Sequence, residues 1–167
     1  MRSKILKLNA LIRALKDLRI SGKRIVFTNG CFDILHVGHV RYLSAARAEG
    51  DVLVLGLNSD ASVKSIKSEG RPIVSQDQRA EVLAGLACVD FITIFDEPDP
   101  LMLIRAVKPD ILAKGADWDE TEIIGSDVVK SYGGKVVRIK VVPNISTSSI
   151  IRRIIELYGR KTADEHE

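Results

Sequence analysis

The strongest constraint on the fold is an unbroken apolar run over residues 51–58, Asp-Val-Leu-Val-Leu-Gly-Leu-Asn. A strand with one face in water alternates apolar and polar residues, whereas a parallel strand is covered on both faces and is apolar throughout. The run therefore predicts a parallel strand at the centre of a sheet. Amphipathic segments on either side of it predict the helices that cover the two faces.

The same reading along the chain predicts five strands that alternate with helices. The strands are expected at 25–28, 51–58, 90–95, 111–114 and 135–142. This order predicts an α/β fold, a Rossmann-like open parallel five-stranded sheet with helices on both faces, whose ligand lies at the carboxyl ends of the strands.

Several helix boundaries carry local signals. Ile5, Leu8, Ile12, Leu15 and Leu18 recur at helical spacing before Ser21-Gly22 and predict a first helix. Further signals predict a helix begun by a Ser75–Gln78 capping box, a helix at 101–107 with Asp99 as N-cap and Pro100 as its first residue, a helix at 121–132, and a last helix capped within 146–149. Residues 59–75 are expected to form a short helical turn followed by a mobile loop.

Composition narrows the class of partner. The 167 residues, 46% of them hydrophobic, predict one domain over 1–167, with a core at about 20–158, an N-terminal helix within 1–19 and a polar tail at 159–167. A net charge of +3 from 25 basic and 22 acidic residues gives no concentrated basic surface, which argues against nucleic acid. Cys31 and Cys88 predict no disulfide framework, and no apolar run is long enough for a membrane span, so we expect a cytoplasmic protein.

The most informative polar stretch follows the first strand. Residues 25–43 pass from an apolar segment through Asn-Gly into an amphipathic helix, and they contain His36 and His39 on one helical face. Unpaired N–H groups at a helix start favour an anion, and Gly38, without a Cβ, would let a phosphate come close. Neither a Gly-x-Gly-x-x-Gly fingerprint nor a Walker loop is present. Ordinary surface histidines, or a metal site of Cys31, Asp33, His36 and His39, remain alternatives.

Other polar groups also follow predicted strands. They lie at 29–39, 58–71, 114–118 and 145–149. Because the carboxyl ends of parallel strands meet at one edge of a sheet, these groups are expected to converge on one rim.

Two separated segments resemble signatures of one enzyme family. Residues 30–39, Gly-Cys-Phe-Asp-Ile-Leu-His-Val-Gly-His, resemble the Gly-x-Phe-Asp-x-x-His-x-Gly-His signature of the cytidylyltransferase-like nucleotidyltransferases, and residues 145–149 resemble their Ile-Ser-Thr-Ser/Thr signature. The chain from about 20 to 155 also resembles the adenylyltransferase domain of the heptose-phosphate kinase/adenylyltransferases, here without the kinase half. That resemblance extends through 58–60, 70–72, 79–83 and 108–118.

The resemblance implies catalytic roles for His36, His39 and Lys67. It implies nucleotide contacts for Asn29, Gly30, Cys31, Phe32, Asp33, Gly38, Asn58, Asp60, Arg71, Arg79, Lys114, Gly115, Asp117, Ile145, Ser146, Thr147 and Ser148. Lys67 or Arg71 would close over the triphosphate, residues 146–148 would bind phosphate, and residues 115–117 with Arg79 would line the nucleoside pocket. Mg²⁺ is expected mainly on the ATP phosphates, and no residue is assigned as a metal ligand.

Each implied role has a purely structural alternative. Arg79 could be a solvated helix charge, Lys64 and Lys67 a solvated face, and residues 146–149 only a cap. Cys31 reads as a small hydrophobe rather than a nucleophile, and Trp118 as a packing residue. One departure from the family stands out: residues 142–144 are Val-Pro-Asn where related cytidylyltransferases carry Arg-Thr-Glu-Gly, and either Arg71 or Arg152 could supply the missing charge.

The resemblance implies transfer of AMP from ATP to a heptose 1-phosphate, giving ADP-heptose, a precursor of lipopolysaccharide core or other surface glycans, and pyrophosphate. The alternatives are another acceptor, such as glycerol phosphate or flavin mononucleotide, and a nucleotide-binding module without turnover. A homodimer is expected from the family. The apolar first helix could contribute to such a contact or could complete the core of the monomer.

Overall fold

Five parallel strands form a single sheet in the computed structural model, which describes residues 2–67, 69–116 and 119–159. The strands are β1 (Ile25–Gly30), β2 (Val52–Asn58), β3 (Phe91–Phe95), β4 (Ile111–Gly115) and β5 (Lys135–Ile139). Their order is β3-β2-β1-β4-β5, and every pairing is parallel. The fold class predicted from the sequence is confirmed.

Seven α-helices connect or flank the strands in the described part of the chain. They are α1 (Leu8–Ile20), α2 (Val37–Ala48), α3 (Asp60–Ile66), α4 (Gln76–Ala84), α5 (Leu101–Val107), α6 (Ser126–Ser131) and α7 (Thr147–Tyr158), with 3₁₀ turns at Arg2–Lys4 and Glu120–Glu122. None of these helices is both long and apolar enough to cross a bilayer.

Each face of the sheet has its own buried cluster. On one face α2 and α4 contribute Leu43, Ala46, Ala80 and Leu83. On the other face α1, α5 and α6 contribute Leu11, Leu15, Ile104 and Val129. All seven residues of β2 are buried, as the apolar run predicts for a strand covered on both sides. The first helix therefore completes the core of the monomer through Leu11 and Leu15, which are fully buried.

Some predicted boundaries are wrong for identifiable reasons. The helix expected at 121–132 is broken by Gly125, whose φ of 84° places it in the left-handed region, and a Cβ there would lie 2.7 Å from Cδ1 of Ile104. Only Ser126–Ser131 is α-helical. The strand expected at 135–142 ends at Ile139.

Two predicted N-caps also differ from the structure. Ser75 occupies the N-cap position of α4, but its side chain makes no capping bond. The side-chain oxygen of the next residue, Gln76, accepts from the backbone N–H of Asp60 at the start of α3 (2.8 Å). Pro100 is itself the N-cap residue of α5, and Asp99 accepts from the N–H of Leu101 (2.8 Å). The last helix is capped within 146–149 as expected, and Ser146 and Ser149 form a capping box there.

The central strands β1 and β4 diverge towards their carboxyl ends. Their backbone pairing includes Val26–Ile111 and Phe27–Leu112 but does not continue beyond these residues. Beyond that point the Tyr42 hydroxyl of α2 connects the strands, 2.7 Å from Thr28 Oγ1 and 3.1 Å from the Ala113 carbonyl oxygen, to which it donates. This opening lies where the strand order reverses, the usual ligand crevice of an open α/β sheet.

Truncation of α1 tests its place in the core. Because Leu15 is fully buried, Leu15→Ala should lower the free energy of unfolding by about 2–4 kcal/mol. Leu8→Ala on the same helix removes a side chain that is 37% exposed, and should cost less than about 1 kcal/mol. Urea denaturation of both variants measures the difference. Equal losses would show that α1 does not belong to the folded core.

Candidate active site

The loop between β1 and α2 is held in an unusual conformation by Asp33. Phe32 and Ile34 have positive φ values of 47° and 43°, which non-glycine residues rarely adopt. The Asp33 side chain, 1% exposed, accepts from Arg71 Nε (2.6 Å) and from the backbone N–H groups of Ile73 and Val74 (both 2.9 Å). The loop is therefore fastened to the segment that follows α3.

The charge on Asp33 is stabilised by these contacts. Burial by itself would raise the pKa of the carboxyl group, but the N–H bonds from Ile73 and Val74 and the guanidinium of Arg71 outweigh it, and the pKa lies below its usual value. Since all three contacts are internal, Asp33 orders the loop. The nucleotide contact predicted for Asp33 stays a prediction.

The second signature lies directly against the first. The Thr147 hydroxyl donates to the backbone carbonyl oxygen of Asp33, although 114 positions separate the two residues. Thr147 is buried and is the first residue of α7, Ser146 is its N-cap, and Ser148 is exposed. A Cβ on Gly38 would lie 3.2 Å from a methyl carbon of Ile145 and 2.9 Å from His36 Nδ1. Gly38 thus allows both signatures to pack closely, and its contact with phosphate stays a prediction.

His36 and His39 form a stacked pair at the start of α2. His36 is the N-cap residue, His39 lies in the first turn, and the ring centroids are 3.8 Å apart with a 22° angle between planes. Both Nδ1 atoms are buried and have no hydrogen-bond partner among the residues that the structure describes. A buried polar nitrogen without a partner is costly, so the arrangement of these two rings is not explained by their contribution to stability.

The histidine pair is neutral near pH 7. Burial lowers the pKa of His36, and burial together with the neighbouring His36 lowers the pKa of His39 to about 4, against a small opposing effect of Asp33. Neutral imidazole still donates one N–H bond. Both rings are partly buried, and the contacts with phosphate predicted for them stay a prediction.

Arg79 ties together three segments of the rim. It is 2% exposed and donates to the carbonyl oxygens of Cys31, Asn58 (2.9 Å) and Val74 (2.9 Å), and to the carboxylate of Asp60 (2.7 Å). The alternative of a solvated helix charge is therefore wrong. Arg79 holds the loop, the end of β2 and the start of α4 in position, and its contact with nucleotide stays a prediction.

A basic segment at the end of α3, consisting of Lys64, Lys67 and residues 69–72, borders the same rim. A cavity of about 620 Å³ is lined by Lys64, Glu69, Gly70, Arg71 and Pro72. Lys67 is exposed, whereas Arg71 is bound to Asp33. Burial raises the pKa of Cys31, and the charges of Lys67, Arg79 and Arg71 oppose this only in part, so Cys31 is not an activated thiolate.

The end of β4 carries a partly buried cation. Lys114 Nζ donates to Asn29 Oδ1 across the opening between β4 and β1, beside Gly30 and Gly115, the last residues of these strands. Burial lowers the pKa of Lys114 to about 8. Two other expectations, for Asp117 and Trp118, lie outside the described residues. Arg152, one candidate for the missing charge, is exposed on α7.

Tyr42 is the residue of this region that the sequence did not indicate. Its hydroxyl bridges β1 and β4 beneath the rim. Its position three residues after His39 shows only that both lie on one side of α2, and that spacing is equally typical of core packing.

No group of three or more His, Cys, Asp or Glu side chains in the described ranges is placed to hold a metal ion. Asp33, the carboxylate of the histidine loop, already has three partners. A Mg²⁺ ion at this rim would therefore need the phosphate oxygens of a nucleotide as its main ligands.

A family model described as cytidylyltransferase-like matches residues 27–153. The chain belongs to the cytidylyltransferase-like family. The match includes most of β1, the histidine pair, Lys114 and the start of α7. The predicted family resemblance is confirmed.

Relatives and solved structures agree with this assignment. The chain is 50% identical over 159 residues to bifunctional protein HldE of Geobacter metallireducens, and 52% identical over 151 residues to that of Methylobacillus flagellatus. These matches cover 95% and 90% of the chain but 32% and 31% of the relatives, so the chain spans about a third of their length.

Two solved structures share the fold. A lipopolysaccharide core biosynthesis protein from Thermoplasma volcanium is 31% identical with a TM-score of 0.60, and the match covers 72% of this chain and 98% of that one. A pantoate-beta-alanine ligase from Francisella tularensis has the same TM-score at 16% identity, covering 91% and 77% of the two chains, and supports the fold alone.

Asp33→Asn tests the role of the carboxylate in ordering the loop. The change leaves the guanidinium of Arg71 largely buried without its counter-ion, and should lower the free energy of unfolding by about 3 kcal/mol. Asp77→Asn, at an exposed position in the first turn of α4, is the control and should cost less than about 1 kcal/mol. Urea denaturation at pH 7 measures both. An equal loss in the free energy of unfolding for both variants would contradict the role of Asp33 in ordering the loop.

The lowered pKa of His39 predicts a pH effect on stability. Between about pH 6.5 and pH 4 the unfolded chain binds a proton at His39 that the folded chain does not bind. The contribution of His39 to the free energy of unfolding is therefore fully present above pH 6.5 and is lost as the pH falls towards 4. Denaturation of wild type and His39→Asn at pH 7.5 and pH 5 measures this contribution. The substitution should reduce the loss of stability between the two pH values, and an unchanged loss would show that His39 titrates normally.

Proposed function

We propose that the chain is an adenylyltransferase domain that transfers AMP from ATP to a heptose 1-phosphate, releasing pyrophosphate and forming ADP-heptose. The carrying observation is the contact between the two signatures, through Thr147 and Asp33, beside a buried neutral histidine pair. The similarity to a lipopolysaccharide core biosynthesis protein supports a surface-glycan precursor as the product, and the resemblance to the heptose-phosphate kinase/adenylyltransferases suggests the heptose acceptor. We place the reaction in the cytoplasm and expect it to contribute to surface-glycan precursors.

The reaction is an in-line displacement at the α-phosphorus. A phosphate oxygen of the sugar phosphate forms a bond to the α-phosphorus, and the bond from that phosphorus to the oxygen bridging to the β-phosphorus breaks, so pyrophosphate leaves with the electron pair. The attacking phosphate is already ionised near neutral pH, so no general base is required. Catalysis then depends on alignment and on stabilisation of developing charge.

Protein groups around the rim can supply this alignment and charge stabilisation. His36 and His39 donate N–H bonds to the α- and β-phosphates from positions that are fixed before ATP binds. Lys67, exposed beside the cavity of the basic segment, neutralises the triphosphate, and Arg71 can join it when it leaves Asp33. Mg²⁺ arrives with the triphosphate and supplies further charge neutralisation.

The active unit is proposed to be a homodimer. The apolar stripe of α7 supports a subunit contact, because Ile154, Ile155, Leu157 and Tyr158 are between 47% and 62% exposed. An exposed apolar stripe of this kind commonly marks an interface.

A substrate panel tests the proposed reaction. Pyrophosphate release is measured for ATP and CTP with D-glycero-D-manno-heptose 1-phosphate, glycerol 3-phosphate and flavin mononucleotide. We expect turnover with ATP and the heptose phosphate. Preference for CTP with glycerol 3-phosphate, or for flavin mononucleotide, would replace the proposed acceptor, and ATP binding without turnover on any acceptor would favour a binding module.

His39→Ala tests whether the histidine pair acts on the transition state. The loss of one preorganised donor should reduce kcat about 10²–10³-fold while ATP affinity changes far less. Lys16→Met, at an exposed position on α1, should leave both unchanged and serves as the control. Equal losses in kcat and in ATP affinity would assign His39 to ground-state binding instead.

A further inference from the structure

The sheet separates the polar groups of the rim onto two faces. On one face Thr28 contacts Tyr42 of α2, and the His39 ring lies beside Phe32, which belongs to the same buried cluster as α2 and α4. Asn29 follows Thr28 in β1 and therefore points to the opposite face. A Cβ on Gly56 would lie 3.2 Å from Asn29 Cβ and 3.0 Å from Leu103 of α5, which confirms that side.

Lys114 shares the face of Asn29. The preceding residue of β4, Ala113, packs into the cluster of α2 and α4, so the alternation of the strand directs Lys114 towards α5. Its bond to Asn29 Oδ1 agrees with that direction. The histidine pair and Lys114 therefore lie on opposite sides of the β1 and β4 ends.

The ammonium group of Lys114 lacks an anionic partner in the described part of the chain. Its ammonium group has three donors, and Asn29 takes only one of them. No carboxylate of the described residues lies within ion-pair distance of it, in contrast to Arg71 and Arg79. Burial without a compensating acid lowers the pKa of Lys114, and such a charge is costly to keep without a ligand.

In-line displacement requires the acceptor and the leaving group to lie on opposite sides of the α-phosphorus. His36 and His39, proposed to contact the α- and β-phosphates, and Lys67, proposed to neutralise the triphosphate, are on the side of α2 and the basic segment. We propose that Lys114, oriented by Asn29, binds the phosphate group of the incoming sugar phosphate. This assignment rests on the proposed function, and it moves Lys114 from the nucleotide contacts to the acceptor.

Steady-state kinetics with ATP and D-glycero-D-manno-heptose 1-phosphate tests the assignment. Lys114→Met should raise the KM for the sugar phosphate about 10–100-fold, the usual effect of losing a charge-assisted hydrogen bond, and leave the KM for ATP within about twofold. Lys114→Arg should recover part of the acceptor affinity. Asn29→Ala should raise the acceptor KM by a smaller factor, because it disturbs the orientation of Lys114 and not its charge. Lys16→Met should match wild type.

The possible outcomes separate this inference from the proposed reaction. An unchanged acceptor KM in an active Lys114→Met enzyme overturns the assignment alone, as does a rise in the KM for ATP of the same size. If wild type shows no turnover, the proposed reaction fails, and calorimetric binding of the sugar phosphate in the presence of a non-hydrolysable ATP analogue decides the assignment. Selective loss of that binding in Lys114→Met supports it, whereas unchanged binding, or no binding to wild type, overturns it.

Discussion

The carboxylate of Asp33 is the interaction on which the geometry of the rim depends. A loop with two non-glycine residues in the left-handed region costs on the order of 1–3 kcal/mol for each of them. Three hydrogen bonds to a buried carboxylate, together with the bond from Thr147 to the Asp33 carbonyl, offset that cost. Because Asp33 lies three residues before His36, the same contacts fix where α2 begins and where the histidine rings stack.

The contact between Asp33 and Arg71 links the order of the loop between β1 and α2 to whether the Arg71 guanidinium can bind a phosphate. Arg71 is paired with Asp33, so of the two cations proposed for the triphosphate only Lys67 is exposed. If the Arg71 side chain moved from Asp33 to a phosphate group, Asp33 would keep the two hydrogen bonds from the backbone N–H groups of Ile73 and Val74. Arg79 has no such freedom, because its bonds to Cys31, Asn58 and Asp60 hold the rim together.

The sequence was informative where one physical cause acts over a short segment. Strands buried on both faces must be apolar, so the sheet could be read from runs such as 51–58. The convergence of the two signatures followed from the edge that parallel strands share. The burial of Arg79 could not be predicted in this way, because Gln76, Asp77 and Gln78 give α4 a polar start and most of its partners lie on two distant segments, the loop after β1 and the end of β2. The break at Gly125 depends likewise on the packing of Ile104.

The proposed reaction would use two cations that differ in how firmly the fold holds them. Lys67 is exposed at the end of α3, next to the segment that Asp33 binds, and in the proposed reaction it would contact the leaving group. Lys114 is part of a strand and is bonded to the neighbouring strand, so its position is as rigid as the sheet. An acceptor must be aligned before the bond forms, whereas pyrophosphate must depart afterwards. A cation on a strand, such as Lys114, therefore suits the acceptor side in this proposal.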